Sequence, residues 1–212
     1  MYIGVDTYEE LYLKGKDIET LEREVEKLRN EISRIKRKME MPYYIRANTA
    51  FPTDEQVIEI CRGYFDKAIL YLKETSDNAD VLTEDERAAA LIDSMTENIS
   101  CVTLTVGRYL EKKYELVINE SYANLTRICL GGNSVTEEKE KEPMISALYS
   151  LHLGEWRQSY LPEDYGCTLS EPVRWQLRID YFGKAAPRFY DGLGIFPYNF
   201  NSLCKLLDAD VV

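Results

Sequence analysis

The sequence predicts an α+β fold: an N-terminal coiled-coil helix, a helical region, then a mostly antiparallel sheet of about five strands with covering helices. Three observations carry this. Apolar residues recur at alternating steps of three and four from Ile18 to Met39. Two capping boxes, Thr53–Gln56 and Thr83–Glu86, each open a further helical pattern. From Ile99 onward the runs become β-branched and the period shortens to two.

In chain order, Tyr8–Leu13 reads as a short helical turn ending near Gly15. The heptad that follows places Ile18, Val25, Ile32 and Met39 at a and Leu21, Leu28 and Ile35 at d. β-branched a with Leu-rich d favours a two-stranded coil. In a parallel pair Glu24 meets Arg29 of the partner and Glu31 meets Lys36, while Asp17 against Glu22 spoils the first rung. Such a helix is roughly 37 Å long, and Pro42 stops it. The expectation is a homodimer through Ile18, Leu21, Val25, Leu28, Ile32 and Ile35, with a helical hairpin inside one chain as the alternative. Residues 1–41 then form an oligomerisation helix and 42–212 an α+β ligand- or partner-binding domain.

Met41–Pro52 reads as a linker. A helix from Thr53 to about Glu74 presents Val57, Cys61, Tyr64, Phe65, Ala68 and Leu72 on one face. Ser76–Asp80 is a loop, and another helix runs from Thr83 to about Glu97. Ile99–Val106, Tyr114–Ile118 and Leu125–Leu130 read as strands, the last closed by Gly131-Gly132-Asn133. Thr136–Glu142 reads as a solvated charged loop, and Pro143 as the first residue of a helix through about Leu153. Val173–Tyr181 alternates, with Trp175, Leu177, Ile179 and Tyr181 on the core face and Arg174, Gln176, Arg178 and Asp180 on the other. Arg188–Tyr190 pairs with it, Asp191–Gly194 turns, and Asn199 is the N-cap of a last helix.

Composition narrows the chemistry. With 45% hydrophobic and 30% charged residues the chain is globular rather than disordered. No apolar run approaches the roughly 18 residues of a membrane helix, and Met1–Lys16 lacks the pattern of a secretory signal, so the expected compartment is the cytoplasm. The five cysteines stand singly, which fits small apolar residues rather than a disulfide framework or zinc site. A net charge of −11 opposes general nucleic-acid binding. It leaves room for a small phosphate-bearing ligand held by a few arginines, or for docking on a basic protein.

The pieces LHLGEWRQSY, WQLRIDY and FPYNFNSLCKLL, close together between Leu151 and Leu207, carry the specific signal. They resemble a family of small proteins of Firmicutes and their phages and mobile elements, with L-H-x-G-E-W-R-x-x-Y, W-x-L-x-I-x-Y and Y-P-x-N-F boxes. The chain departs from that pattern at Gly194 and Phe196, where the family has Asn and Tyr, so no polar contact is carried over to those two positions. The resemblance implies a phage or mobile-element setting, hence a host-cell cytoplasm, and no particular activity.

No P-loop, G-x-S-x-G, G-x-G-x-x-G or H-E-x-x-H motif occurs, and a single histidine rules out a two-histidine metal site. His152, before a glycine, reads as a capping or packing residue, and Glu155 with Asp164 or Asp180 is a carboxylate pair on no more than composition. The reading is therefore a non-catalytic protein with no catalytic residue, metal or cofactor. Its expected ligand site is Trp156, Arg157, Tyr160, Arg174, Arg178, Tyr198 and Asn199, with Arg188 and Tyr190 beside it. Arginines meet phosphate in bidentate fashion and aromatic rings stack on bases. The expected function is an anti-defence sponge that sequesters a nucleotide-like host immune signal. The alternative is an acidic inhibitor or adaptor of a host defence effector such as a nuclease.

Overall fold

Asp17 caps the long helix: its Oδ1 accepts the Thr20 N–H at 2.8 Å, and helix α2 runs Ile18–Glu40. The structure, a computed structural model, describes residues 2–44, 51–76, 81–129 and 133–210. It falls into two compact units, Met1–Thr83 and Glu84–Val212.

In the first unit α2 packs on α3 (Asp54–Thr75). Helix α3 starts at the expected capping box: Thr53 Oγ1 accepts the Gln56 N–H at 3.2 Å, and Gln56 Oε1 accepts the Thr53 N–H at 2.9 Å. A short α1 (Val5–Tyr8) and a π-helical turn (Glu9–Leu13) strap the hairpin. Tyr8 stacks on Tyr64 with ring centroids 3.8 Å apart and donates its hydroxyl to Glu24. Burial, reinforced by that bond, pushes the Tyr8 phenol far above its ordinary value. Glu9 accepts from Tyr71 at 2.8 Å and pairs with Lys67 at 2.8 Å.

The heptad stripe is used inside the chain. Leu21, Val25, Leu28, Ile35 and Met39 are buried, whereas Ile18 is exposed and Ile32 half-buried. The charges expected to cross between two chains also close locally. Glu24 accepts from Tyr8 and Lys27, Arg29 pairs with Glu26, and Glu31 pairs with Arg34. This is the arrangement of the helical hairpin, in which α3 supplies an apolar face of nearly equal length. The first compact unit accordingly extends past Met41 to Thr83. Residues 45–50 of the expected linker and 77–80 of the expected loop lie outside the described residues.

The second unit opens with α4 (Glu84–Ser94), which ends three residues before the expected Glu97, and a 3-10 turn (Thr96–Asn98) follows it. Its sheet contains β1 (Ile99–Gly107), β2 (Lys112–Ile118), β3 (Tyr122–Cys129), β4 (Ser134–Glu140), β5 (Ser159–Tyr160), β6 (Arg174–Tyr181) and β7 (Arg188–Leu193). The strand order is β4-β3-β2-β1-β6-β7-β5. All neighbours are antiparallel except β5 and β7, so the sheet is mixed and seven-stranded rather than five-stranded.

The two strands missing from the sequence reading have physical causes. The expected loop Thr136–Glu142 is instead β4 with the start of helix α5 (Lys141–Tyr149). An edge strand needs no continuous apolar face, so its charges hid its alternation. Arg127 of β3 pairs with Glu137, which pairs in turn with Lys139 at 2.8 Å. Strand β5 has only two residues, too short for any periodic signal. Residues 130–132, with the expected Gly131-Gly132 closure, lie outside the described residues. Helix α5 starts two residues before Pro143 and ends at Tyr149, where the chain turns toward a left-handed His152.

One sheet face is the core. Val102, Leu104, Leu116, Leu125, Trp175, Leu177 and Ile179 are buried there in alternate positions. Helix α5 lies against β3, β4 and α6 (Phe200–Leu206). On the other face Cys101, Thr103, Thr105 and Glu115 are half-buried, and Arg174, Gln176, Arg178, Phe189 and Asp191 are exposed. Among the described residues no helix is long and apolar enough to cross a membrane.

Candidate functional site

The first and third boxes are bonded to each other. Trp156 donates its indole N–H to Asn199 Oδ1 at 2.9 Å, and Asn199 Nδ2 donates to the Leu151 carbonyl at 2.7 Å. Tyr198 donates its hydroxyl to Glu155 at 3.1 Å. The second box joins them: Trp175 donates to the Ile195 carbonyl at 2.7 Å, and Tyr190 on the neighbouring strand donates to the Leu153 carbonyl at 2.8 Å. Trp156 meets Trp175 edge-on at 6.3 Å and 84°, and Phe200 lies 4.9 Å from Trp175. Burial pushes the Tyr190 phenol up, and nearby Arg188 offsets part of that shift.

Two glycines let these groups approach. A Cβ on Gly192 would run into the Trp175 indole, and one on Gly154 into the backbone carbonyl of Ala89 in α4. The Gly154 N–H donates to Asp93 Oδ1 at 2.8 Å, and His152 Nδ1 lies 3.5 Å from Asp93 Oδ2. The Gly154–Asp93 bond thus fastens this turn to α4, with His152 beside it.

The expected site residues consequently separate into two groups. Trp156, Tyr160, Tyr198 and Asn199 are buried, with Tyr160 accepting the Arg157 N–H at 3.1 Å. Asn199 stands at the start of α6 but makes no side-chain cap, since both ends of its amide are engaged by Trp156 and Leu151. Arg157 is exposed, with its guanidinium over the rings of Tyr160 and Tyr165 at 5.3 and 5.1 Å and a hydrogen bond to the Tyr165 hydroxyl. Arg188 lies over Tyr190 at 5.9 Å. Arg174 and Arg178 stand on the opposite sheet face from Trp175, across the sheet from the buried aromatics. Arg157 and Arg188 thus lie against the rings, whereas Arg174 and Arg178 stand apart from them.

On that outer face Arg178 grips Asp180 through Nε, at 2.9 and 3.0 Å, and Nη2, at 2.7 Å; Asp180 holds the guanidinium above its ordinary value. Arg178 also lies 5.5 Å from the centre of the Phe189 ring. The register sets Thr103 and Phe189 on either side of Arg178. Phe189 was absent from the sequence-based site although the strand alternation places it outward with Asp191; an aromatic residue in a short strand reads by default as core.

The catalytic elements are equally dispersed. Glu155 is bound to Tyr198 and Asp180 to Arg178, on opposite sides of the sheet. Burial raises the thiols of Cys61 and Cys101, the reverse of nucleophile activation. Among the described residues no three His, Cys, Asp or Glu side chains gather in a way that could hold a metal ion. Comparison with protein-family models, curated proteins and solved structures finds no match for this chain.

Proposed function

We propose that this protein is a non-catalytic protein-binding module, an inhibitor or adaptor, whose contact surface is the outer face of β6 and β7. One observation carries this reading. The exposed residues there form a block of Arg174, Gln176, Arg178, Phe189 and Asp191, while the rings expected to stack on a nucleotide are buried, with Trp156 bonded to Asn199 and Tyr198 to Glu155. Small-ligand sites are concave and enclose most of their ligand. Arginine beside an exposed aromatic on an unenclosed strand pair suits a protein interface, whose hot spots are rich in both. In the mobile-element setting that the boxes suggest, the partner is a host defence effector.

The test uses immobilised wild type and the Arg178→Ala/Phe189→Ser variant, exposed to lysate of the organism carrying the gene. A protein retained by the wild type and lost by an equally stable variant supports the reading. A parallel thermal-shift panel of linear and cyclic nucleotides tests the sponge. A ligand at 100 times its Kd stabilises by about 2.7 kcal/mol, and such a hit would overturn the protein-binding reading.

A further inference from the structure

The β6–β7 hairpin reverses the charge of the chain around it. Between Arg174 and Tyr190 there are four basic residues, Arg174, Arg178, Lys184 and Arg188, and one acidic residue, Asp180, in a chain of net charge −11. Phe182 and Phe189 are 53% and 60% exposed on the same hairpin. Two bulky rings left in water beside cations are an uncommon use of a strand pair that has a core face available.

The hairpin also has an open edge. Strand β5 pairs only with Asp191 and Gly192 of β7, and the Asp191 N–H donates to the Gln158 carbonyl at 2.9 Å. Successive residues of a strand turn their N–H and C=O groups to opposite sides. Phe189, two residues before Asp191, therefore aims its backbone groups at the same side. Among the described residues no strand lies beside it there.

We propose that this edge docks an extended acidic segment of the partner protein. The segment adds to β7 at Phe189 through main-chain hydrogen bonds, the recognised mode of strand addition. Its alternate apolar side chains lie on Phe182 and Phe189, and its carboxylates face Lys184 and Arg188. The local charge decides the docked segment, while the acidic remainder of the chain repels acidic surfaces presented elsewhere. This inference rests on the protein-binding reading and adds the site and the chemistry of its ligand.

The experiment pans random displayed peptides of strand length against the full chain, then measures the selected peptides by fluorescence anisotropy. Acidic peptides with alternating apolar residues are expected. Phe182→Ser and Phe189→Ser should each weaken them about tenfold or more without lowering Tm, since both side chains are exposed. Bound peptide should slow exchange of the Phe189 amide. Selected peptides without acidic bias, or with unchanged affinity for both variants, would sink this site while leaving protein binding intact. Failure to enrich any peptide, or competition by a single-stranded oligonucleotide, also overturns it. Failure of the wild type to retain any protein from the lysate would instead remove the reading beneath it.

Discussion

Trp156 and Asn199 are 43 residues apart in sequence, yet the indole N–H of one is satisfied by the amide oxygen of the other inside the core. The Asn199 amide nitrogen serves the Leu151 carbonyl, so a single buried side chain closes two backbone-distant gaps. Asn199→Leu keeps the branched outline and the number of heavy atoms but orphans both partners. An unsatisfied buried group costs roughly 1–3 kcal/mol, so the variant should lose on the order of 2–4 kcal/mol in urea denaturation. Trp156→Phe/Asn199→Leu should recover part of that loss; strictly additive losses would show that the pair is uncoupled.

Gly154→Ala should destabilise the second unit by about 1–3 kcal/mol, because the added methyl meets the Ala89 backbone carbonyl and α4 must move. Gly166→Ala provides the contrast: nothing lies within 4 Å of its Cβ position, although its φ of 63° penalises any side chain. Thermal melts separate the two mechanisms when α4 amide exchange is followed alongside. Only Gly154→Ala should accelerate it.

Leu28 is buried between α2 and α3, and Leu28→Ala should cost about 2–5 kcal/mol. Because the covering helix belongs to the same chain, the Tm of wild type and variant should not depend on protein concentration. A Tm that climbs with concentration would restore the interchain coil.

The α2–α3 junction should be acid-sensitive. Burial taken alone would raise the Asp54 carboxyl, yet Lys38 and Tyr44, each 2.7 Å from its Oδ2, hold it below its ordinary 3.8. A carboxyl depressed in the folded state contributes stability that is complete above the unfolded value and is lost as pH falls through the lower, folded value. Asp54→Asn should therefore be less stable than wild type at neutral pH, and the difference should shrink in acid. Parallel stability–pH curves for the two proteins would rule the contribution out.

The parts of the fold legible in the sequence were those where local chemistry and tertiary use agree. The Thr53–Gln56 box and the Trp175–Tyr181 alternation each report an arrangement complete within a few residues. The heptad was legible as a stripe but not as to its partner, since α3 offers Val57, Cys61, Tyr64 and Ala68 with the same spacing a second chain would. Strand β4 was hidden because Glu137 and Lys139 point to the same side as Leu125 and Ala123 of its neighbour, where charge satisfies charge through Arg127. The division of the candidate site residues between core and outer face was hidden for a related reason. Tryptophan, tyrosine and arginine close together in sequence look alike whether they meet a ligand or one another. Only strand parity separates Trp175 from Arg174 and Arg178, and only hydrogen bonds spanning some forty residues reveal what Trp156 and Tyr190 are for.

The place of β1 in the sheet constrains how the protein emerges from the ribosome. One flank of β1 is covered by β2, which follows it almost at once, but the other waits for β6, which begins at Arg174. While the chain between them is being made, a strand bearing Val102, Leu104 and Val106 presents an unpaired edge to solvent. The meander from β1 to β4 can form early from local pairings, but it stays adhesive along that seam until the boxes arrive and zip it shut. Slow translation or stalling before Arg174 is thus the point at which this molecule is most exposed to chaperones, proteases and its own neighbours on the polysome.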